Sequence, residues 1–341
     1  DVVIESGVVI VSRDAEVIKV VRSGSGNADL SANNVTGATI GIFTDNDGFG
    51  ALSITANGAV TGGSDDGIYA NNASTEDLTI TIAEGGSVST SGTDTANDFA
   101  IEAIANNGAV IVNNFGTVTG RVNLTNSNTF TNAGTWDLAG TTSDFNAEGN
   151  SDVVNEGLII AASDGAADEI SAIDNLDTFR SNAGGTIRLA DGGAGDVLRI
   201  DADAADVDGD GTGNFEANGG TVELDVVLGG DGSAADQLDI SGDVTLDGAP
   251  TGLLVNPVGA GAGGETTTGI EVVSVGGSSE DGAFVLAEPV EAGAWVYDLS
   301  LGQCDDTEDQ NWYLCSTGPI GTIGTTAAVF EALPGALLGA F

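Results

Sequence analysis

The residues best placed for chemistry lie in the acidic run DADAADVDGDGTGNFE that starts at Asp201. Asp206, Asp208 and Asp210 alternate and Gly211 follows them, the order of the first half of a calcium-binding loop. Carboxylates at alternate positions can converge on one hard cation, and the glycine allows the bend. In such a loop the closing glutamate stands at about position 12. Here Glu216 stands at position 11, and no helical pattern flanks the run. The competing reading is a solvated acidic loop. No cofactor is required anywhere in the chain, and calcium is the one ion this loop would take.

Other acidic positions are weaker. Gly192-Gly193-Ala194-Gly195-Asp196 and Gly229-Gly230-Asp231-Gly232 come close to a calcium-binding nonapeptide repeat but misplace its aspartates, and they read as turns, as does Thr44-Asp45-Asn46-Asp47-Gly48. The Asp65–Asp66 pair has the composition of a glycoside-hydrolase carboxylate pair. The chain has no histidine, however, and no Lys or Arg near that pair, so a turn is the better expectation. The absence of histidine also removes the Ser-His-Asp class and the commonest transition-metal ligand. Cys304 and Cys315 bracket ten residues between two strand-like segments. A hairpin would bring them together as a disulfide, with two free thiols as the competing reading, and the neighbourhood lacks the ligands of a metal site. Trp136, Trp295 and Trp312 lie in strand-like alternation and read as core or cap packing rather than ligand platforms.

Short strands and tight turns must position all of these. A unit of the form Asn-x-Gly-x-hydrophobic returns at NNGAVIV from Asn106, NNFGTVTG from Asn113, TNAGTWDL from Thr131, VNEGLII from Val154, SNAGGTIRL from Ser181 and ANGGTVEL from Ala217. Gly58 and Gly86 are 28 apart, as are Val60 and Val88; Asn132 to Asn155 is 23 and Asn155 to Asn182 is 27. After each corner, polar and apolar residues alternate, as in Thr135-Trp136-Asp137-Leu138, which gives a strand with one buried side. Asn and Gly tolerate positive φ, which would turn the chain between strands. A unit this small cannot bury its apolar side alone, but stacking at about 4.8 Å makes a continuous core. The expected fold is all-β: a right-handed, single-stranded parallel β-helix. Nine or ten coils over the first 225 residues would make a rod about 45 Å long.

Composition sets the surface. There are 7 Lys plus Arg against 52 Asp plus Glu, a formal net charge of −45, so nucleic acid and anionic membrane surfaces are excluded as partners. Hydrophobic residues at 41%, with 53 Gly and 5 Pro, place the chain outside the disordered class and among proteins of many strands and turns.

From about Gly219 the motifs change. Asp236, Leu238 and Ile240 form an Asp-x-Leu segment; Gly293, Tyr297 and Leu299 form a second strand; Asn311-Trp312-Tyr313-Leu314 form a third. In this order they resemble the pertactin-like, or autochaperone, junction at the end of autotransporter (type V secretion) passengers. Leu333-Pro334 in the apolar tail is similar to the lead into the family's membrane barrel. The motifs cover roughly 219 to 341; upstream the resemblance rests on repeat style. Two cysteines depart from the habit of such passengers, which thread a pore unfolded, although a ten-residue loop is small.

The resemblance implies three regions: an N-terminally incomplete repeat β-helix at 1–218, an autochaperone-like cap at 219–318, and at 319–341 a linker toward a missing outer-membrane β-barrel, its own translocator partner. It implies export through the periplasm and outer membrane to the cell surface or exterior of a Gram-negative bacterium. The expected function is non-enzymatic, an adhesin or structural stalk with an unknown host or surface ligand, whose C-terminal part templates folding. A calcium-stabilised exoprotein and a β-helical carbohydrate-active enzyme are the rivals.

Overall fold

A computed structural model describes residues 2–6, 10–11, 18–94, 97–145, 150–165, 168–201, 212–259 and 261–319. Among the described residues there is no helix, and the strands form three long sheets. Each turn of chain gives one strand to each sheet, and each strand pairs in parallel with the strand three earlier, so the architecture is a parallel β-helix of three faces. Ten such coils run from Val2–Ser6 to Ile270–Val275. At residue 225 the chain is in the second strand of the ninth coil, Thr221–Val226. Nine coils have therefore begun by that point, the lower of the two expected counts.

The alternation read from sequence is the burial pattern. Five-residue strands such as Leu52–Ala56, Leu78–Ile82 and Val110–Asn114 are buried at their first, third and fifth positions. Stacked Val, Ile, Leu and Phe fill the axis, and one hydrophobic cluster extends from Ile18 to Leu314.

Some corners turn as expected, with positive φ at Gly85, Gly184 and Gly219, and others work differently. Asn114, Asn132 and Asn155 occupy one ladder position and are fully buried. Asn114 Nδ2 donates to Asn132 Oδ1 at 2.8 Å, and Asn132 Nδ2 donates to Asn155 Oδ1 at 2.9 Å. A shorter ladder of the same kind joins Asn46 to Asn72 at 2.7 Å. None of these asparagines has positive φ, nor do Gly116, Gly134 or Gly157. The glycines are needed because a Cβ there would lie about 2.1–2.2 Å from a carbonyl oxygen of the preceding coil. Coil stacking, not backbone handedness, fixes that residue. Thr44, Asp45 and Asn46 are likewise not a turn: they belong to the strand Ile42–Asn46, with Thr44 and Asn46 buried.

Parallel stacking continues unbroken across Gly219. The change comes at the C-terminal end. There Phe284–Leu286 still adds in parallel to Thr251–Pro257, whereas Trp312–Pro319, Trp295–Leu301 and Val290–Ala292 extend the third sheet antiparallel from Ile270–Val275.

Candidate functional site

The C-terminal junction holds the densest set of specific contacts. A column of rings runs down the core into it: Phe179 to Phe215 at 5.6 Å, Phe215 to Phe284 at 5.4 Å, and Phe284 to Trp312 at 5.5 Å between centroids. Trp312 is almost fully buried, and its indole N–H donates to Ser279 Oγ at 2.8 Å. Tyr297 is fully buried; its hydroxyl donates to the Gly229 carbonyl at 2.8 Å and accepts from the Gly264 N–H at 2.9 Å. One phenol thus ties the cap to two loops of the coils before it. Tyr313 donates to Glu271 or Asp309, each 3.0 Å away, and burial followed by these hydrogen bonds pushes its hydroxyl up to about 12. Asp231 Oδ1 accepts the N–H groups of Thr267, Thr268 and Gly269 at 2.8, 2.9 and 2.8 Å. Desolvation works against that charge, but the three donors outweigh it and hold the carboxyl below its usual value.

The eighth coil meets the ninth through charge. Arg180, Arg188 and Arg199 lie on its three faces, each directly paired in register with an acid of the ninth coil: Glu216, Glu223 and Asp239. The nitrogen–oxygen distances are 2.6, 2.8 and 3.6 Å. These pairs are partly exposed, so each contributes about 0–1 kcal/mol. Their value lies in specifying which coil sits on which, since a one-residue slip would set Arg180 opposite Phe215 or Ala217 and leave Glu216 without its partner.

A second feature is a line of buried aspartates at the corner that enters the third sheet. Asp66 accepts the Phe99 N–H at 2.9 Å and shares a hydrogen bond with Glu102. Asp236 accepts three N–H groups, those of Gly195, Asp196 and Asp225, at 2.9, 3.1 and 2.6 Å. Burial, followed by the charges of Glu102 and Asp65, pushes Asp66 up to about 8; burial also raises Glu102, and takes Asp236 to about 7. Asp66 and Glu102 line a surface cleft of about 420 Å³ with Ile40, Phe43, Tyr69 and Asn123. A protonated carboxyl beside another carboxyl is what a general acid needs. Asp66, however, is 1% exposed with its oxygens engaged, and the Phe43 ring is covered by Tyr69, stacked at 5.0 Å, and by Lys19. The pair is built as a clasp between coils three and four.

Of the residues singled out from sequence, Asp206, Asp208 and Asp210 lie outside the described residues. Glu216 is in the strand Asn214–Asn218, and its carboxylate is bonded to Arg180. Cys304 and Cys315 are joined, with an S–S distance of 2.07 Å, and tie the loop after Leu301 to the last strand. Closing so short a loop contributes about 3 kcal/mol by chain entropy. Asp65 does not pair with Asp66 through its carboxyl: its oxygen accepts the Asp66 N–H, and the partner of Asp66 is Glu102, 36 residues on. Sequence reasoning missed Glu102, the Tyr297 hydroxyl contacts and the arginine–acid pairs. For the last there was a signal: three of the seven basic residues fall within one coil length.

A family described as Autochaperone Domain Type 1 matches residues 190–299. YdeU of Escherichia coli K12, itself described as uncharacterized, is 38% identical over 104 residues, covering 30% of this chain and 21% of its own length. The autotransporter adhesin AIDA-I of Escherichia coli is 39% identical over 101 residues, 30% of this chain and 8% of its own. The adhesin BmaC autotransporter of Brucella suis biovar 1 is 38% identical over 112 residues, 30% of this chain and 3% of its own. The chain therefore aligns with about a fifth or less of the length of these curated relatives.

Proposed function

We infer that this chain, an autotransporter passenger carrying an autochaperone region, uses its C-terminal coils and cap to template the β-helix above them, and that the finished rod serves as an adhesin or stalk. Such passengers are exported to the surface of Gram-negative bacteria, where this one folds. The observation that carries the templating role is the antiparallel closure of the third sheet, fastened by Tyr297, Trp312 and the disulfide. A parallel coil is costly to start, because its loops must close before its contacts form. A closed C-terminal end supplies a ready strand edge, so each further coil gains pairing and burial as it is added. The three arginines then select the register of the first coil laid on that platform.

The rod itself suits projection. Relatives described as adhesins support a binding role, and the engagement of the Asp66 carboxyl supports a non-enzymatic one. Templating is tested by refolding the full chain from denaturant with pulsed hydrogen exchange. Amides of 219–319 are expected to gain protection before those of 18–201. Protection that arises first in the upstream coils, or everywhere at once, would sink the proposal. Adhesion is tested by retention of the intact chain on host cells and abiotic surfaces against an albumin control.

A further inference from the structure

A cluster of carboxylates lies where coils seven and eight meet, on the loops that lead into the third sheet. Asp164 and Glu169 come from the loop between Leu158–Ile160 and Ile170–Asp174; Asp191 comes from the equivalent loop one coil later. One oxygen from each lies within 4.8 Å of the other two. Calcium binds oxygens at about 2.3–2.6 Å, so ligands on opposite sides of it stand about 4.6–5.2 Å apart. The three oxygens could therefore take calcium with little movement. Magnesium dehydrates reluctantly and is less suited to a site built from protein carboxylates.

Proximity among acids is not by itself a site. The independent observation is Asp196. It is fully buried and stands one coil below Glu169 in register, since Ile170 pairs with Val197. Its Oδ1 accepts the Glu169 N–H at 2.9 Å, while its Oδ2 is buried with no hydrogen-bond partner. After burial and that hydrogen bond, the charges that act on Asp196 come from Asp191, Glu169 and Asp164, the members of the cluster. A buried carboxylate oxygen without a donor is costly, and a cation alongside, met directly or through one water, would satisfy it.

Glu169 and Asp191 are held in place by backbone donors. The Ser163 N–H donates to Glu169 Oε2 at 2.8 Å, and Asp191 accepts from Gly165 at 2.6 Å and Gly193 at 3.0 Å. Each carboxylate oxygen keeps a second lone pair for a metal.

We propose that Asp164, Glu169 and Asp191, backed by the buried oxygen of Asp196, form a calcium site that fastens coil seven to coil eight beside the start of the autochaperone match at residue 190. Extracellular sites of this kind bind at about 10⁻⁴–10⁻³ M. On the surface location stated above, the site fills only after export, when coil seven has been laid on the platform.

The test uses the full chain, with calcium chloride titrated calorimetrically and thermal melting followed in chelator, in calcium and in magnesium at constant ionic strength. A saturable calcium site and a calcium-dependent rise in Tm larger than magnesium gives are expected. Asp164→Asn should bind calcium about tenfold or more weakly, and its own melt in chelator is the baseline against which its smaller calcium response is read. A combined Asp206→Asn, Asp208→Asn, Asp210→Asn variant should keep the response. No saturable binding, an unchanged affinity in Asp164→Asn, or a response lost only in the triple variant would each overturn the assignment. Pulsed exchange in chelator separates this result from the templating role, which needs no metal.

Discussion

Burial keeps protons on several carboxyl groups of this protein near neutral pH, Asp66 at about 8 and Asp236 at about 7 among them. For each, the folded value lies above the ordinary 3.8. Their contribution is therefore complete below about pH 4 and fades as the pH rises through the folded value. Asp66→Asn imitates the protonated side chain: its carbonyl can still accept from Phe99, and its amide can donate to Glu102. The variant should gain about 1–3 kcal/mol relative to wild type between pH 5 and pH 8.5. Denaturant melts at the two pH values check this, and an unchanged difference would mean that Asp66 is ionised when folded. The sequence displayed Asp65 and Asp66 as neighbours but could not show the true pairing, because Glu102 arrives from the next coil.

Between elements, the controlling contact is the close approach of one coil to the next. A Cβ at Gly134 would lie 2.1 Å from the Gly116 carbonyl oxygen, a backbone atom that cannot swing aside. At Gly85, by contrast, φ is +78° and nothing lies within 4 Å. Gly85→Ala should cost about 1 kcal/mol from backbone strain alone. Gly134→Ala should cost about 2–4 kcal/mol, in the range of overpacked core positions. Circular dichroism melts of the two variants give the ranking, and equal losses would show that the corner relaxes freely. The repeat of Asn-x-Gly was legible in the sequence because stacked coils must reuse the same corner. Its cause was not, since the constraint comes from a carbonyl 18 residues away in the chain. The spacing of 27 from Asn155 to Asn182 shows the same limit: Asn155 pairs with Ser181, and Asn182 pairs with Asn218 one position outward.

Taken whole, the molecule is an apolar axis wrapped in negative charge, with a sequence pI near 4.1 and a formal charge of −45. Like charge keeps copies apart at neutral pH and strains the rod itself. Added sodium chloride should therefore raise Tm at pH 7.5, since screening shortens the reach of repulsion to about 8 Å at physiological ionic strength. Association should appear only as the pH approaches 4. Thermal melts in rising salt check the first and analytical ultracentrifugation across pH 4–8 the second, and an unchanged Tm or dimers at pH 7.5 in low salt would contradict this account.

Composition and period were enough for the class of fold. Alternation with a corner every twenty-odd residues admits few ways to bury Val, Ile and Leu other than stacking, and the motifs at Asp236, Tyr297 and Trp312, in that order, carry the resemblance to the autochaperone junction. Tertiary structure alone decided which acid faces which. In a β-helix, neighbours in space are one coil apart in sequence, and coil length varies with the loops. Glu102 therefore meets Asp66, Glu216 meets Arg180, and Asp164 meets Asp191 across offsets that no fixed period encodes.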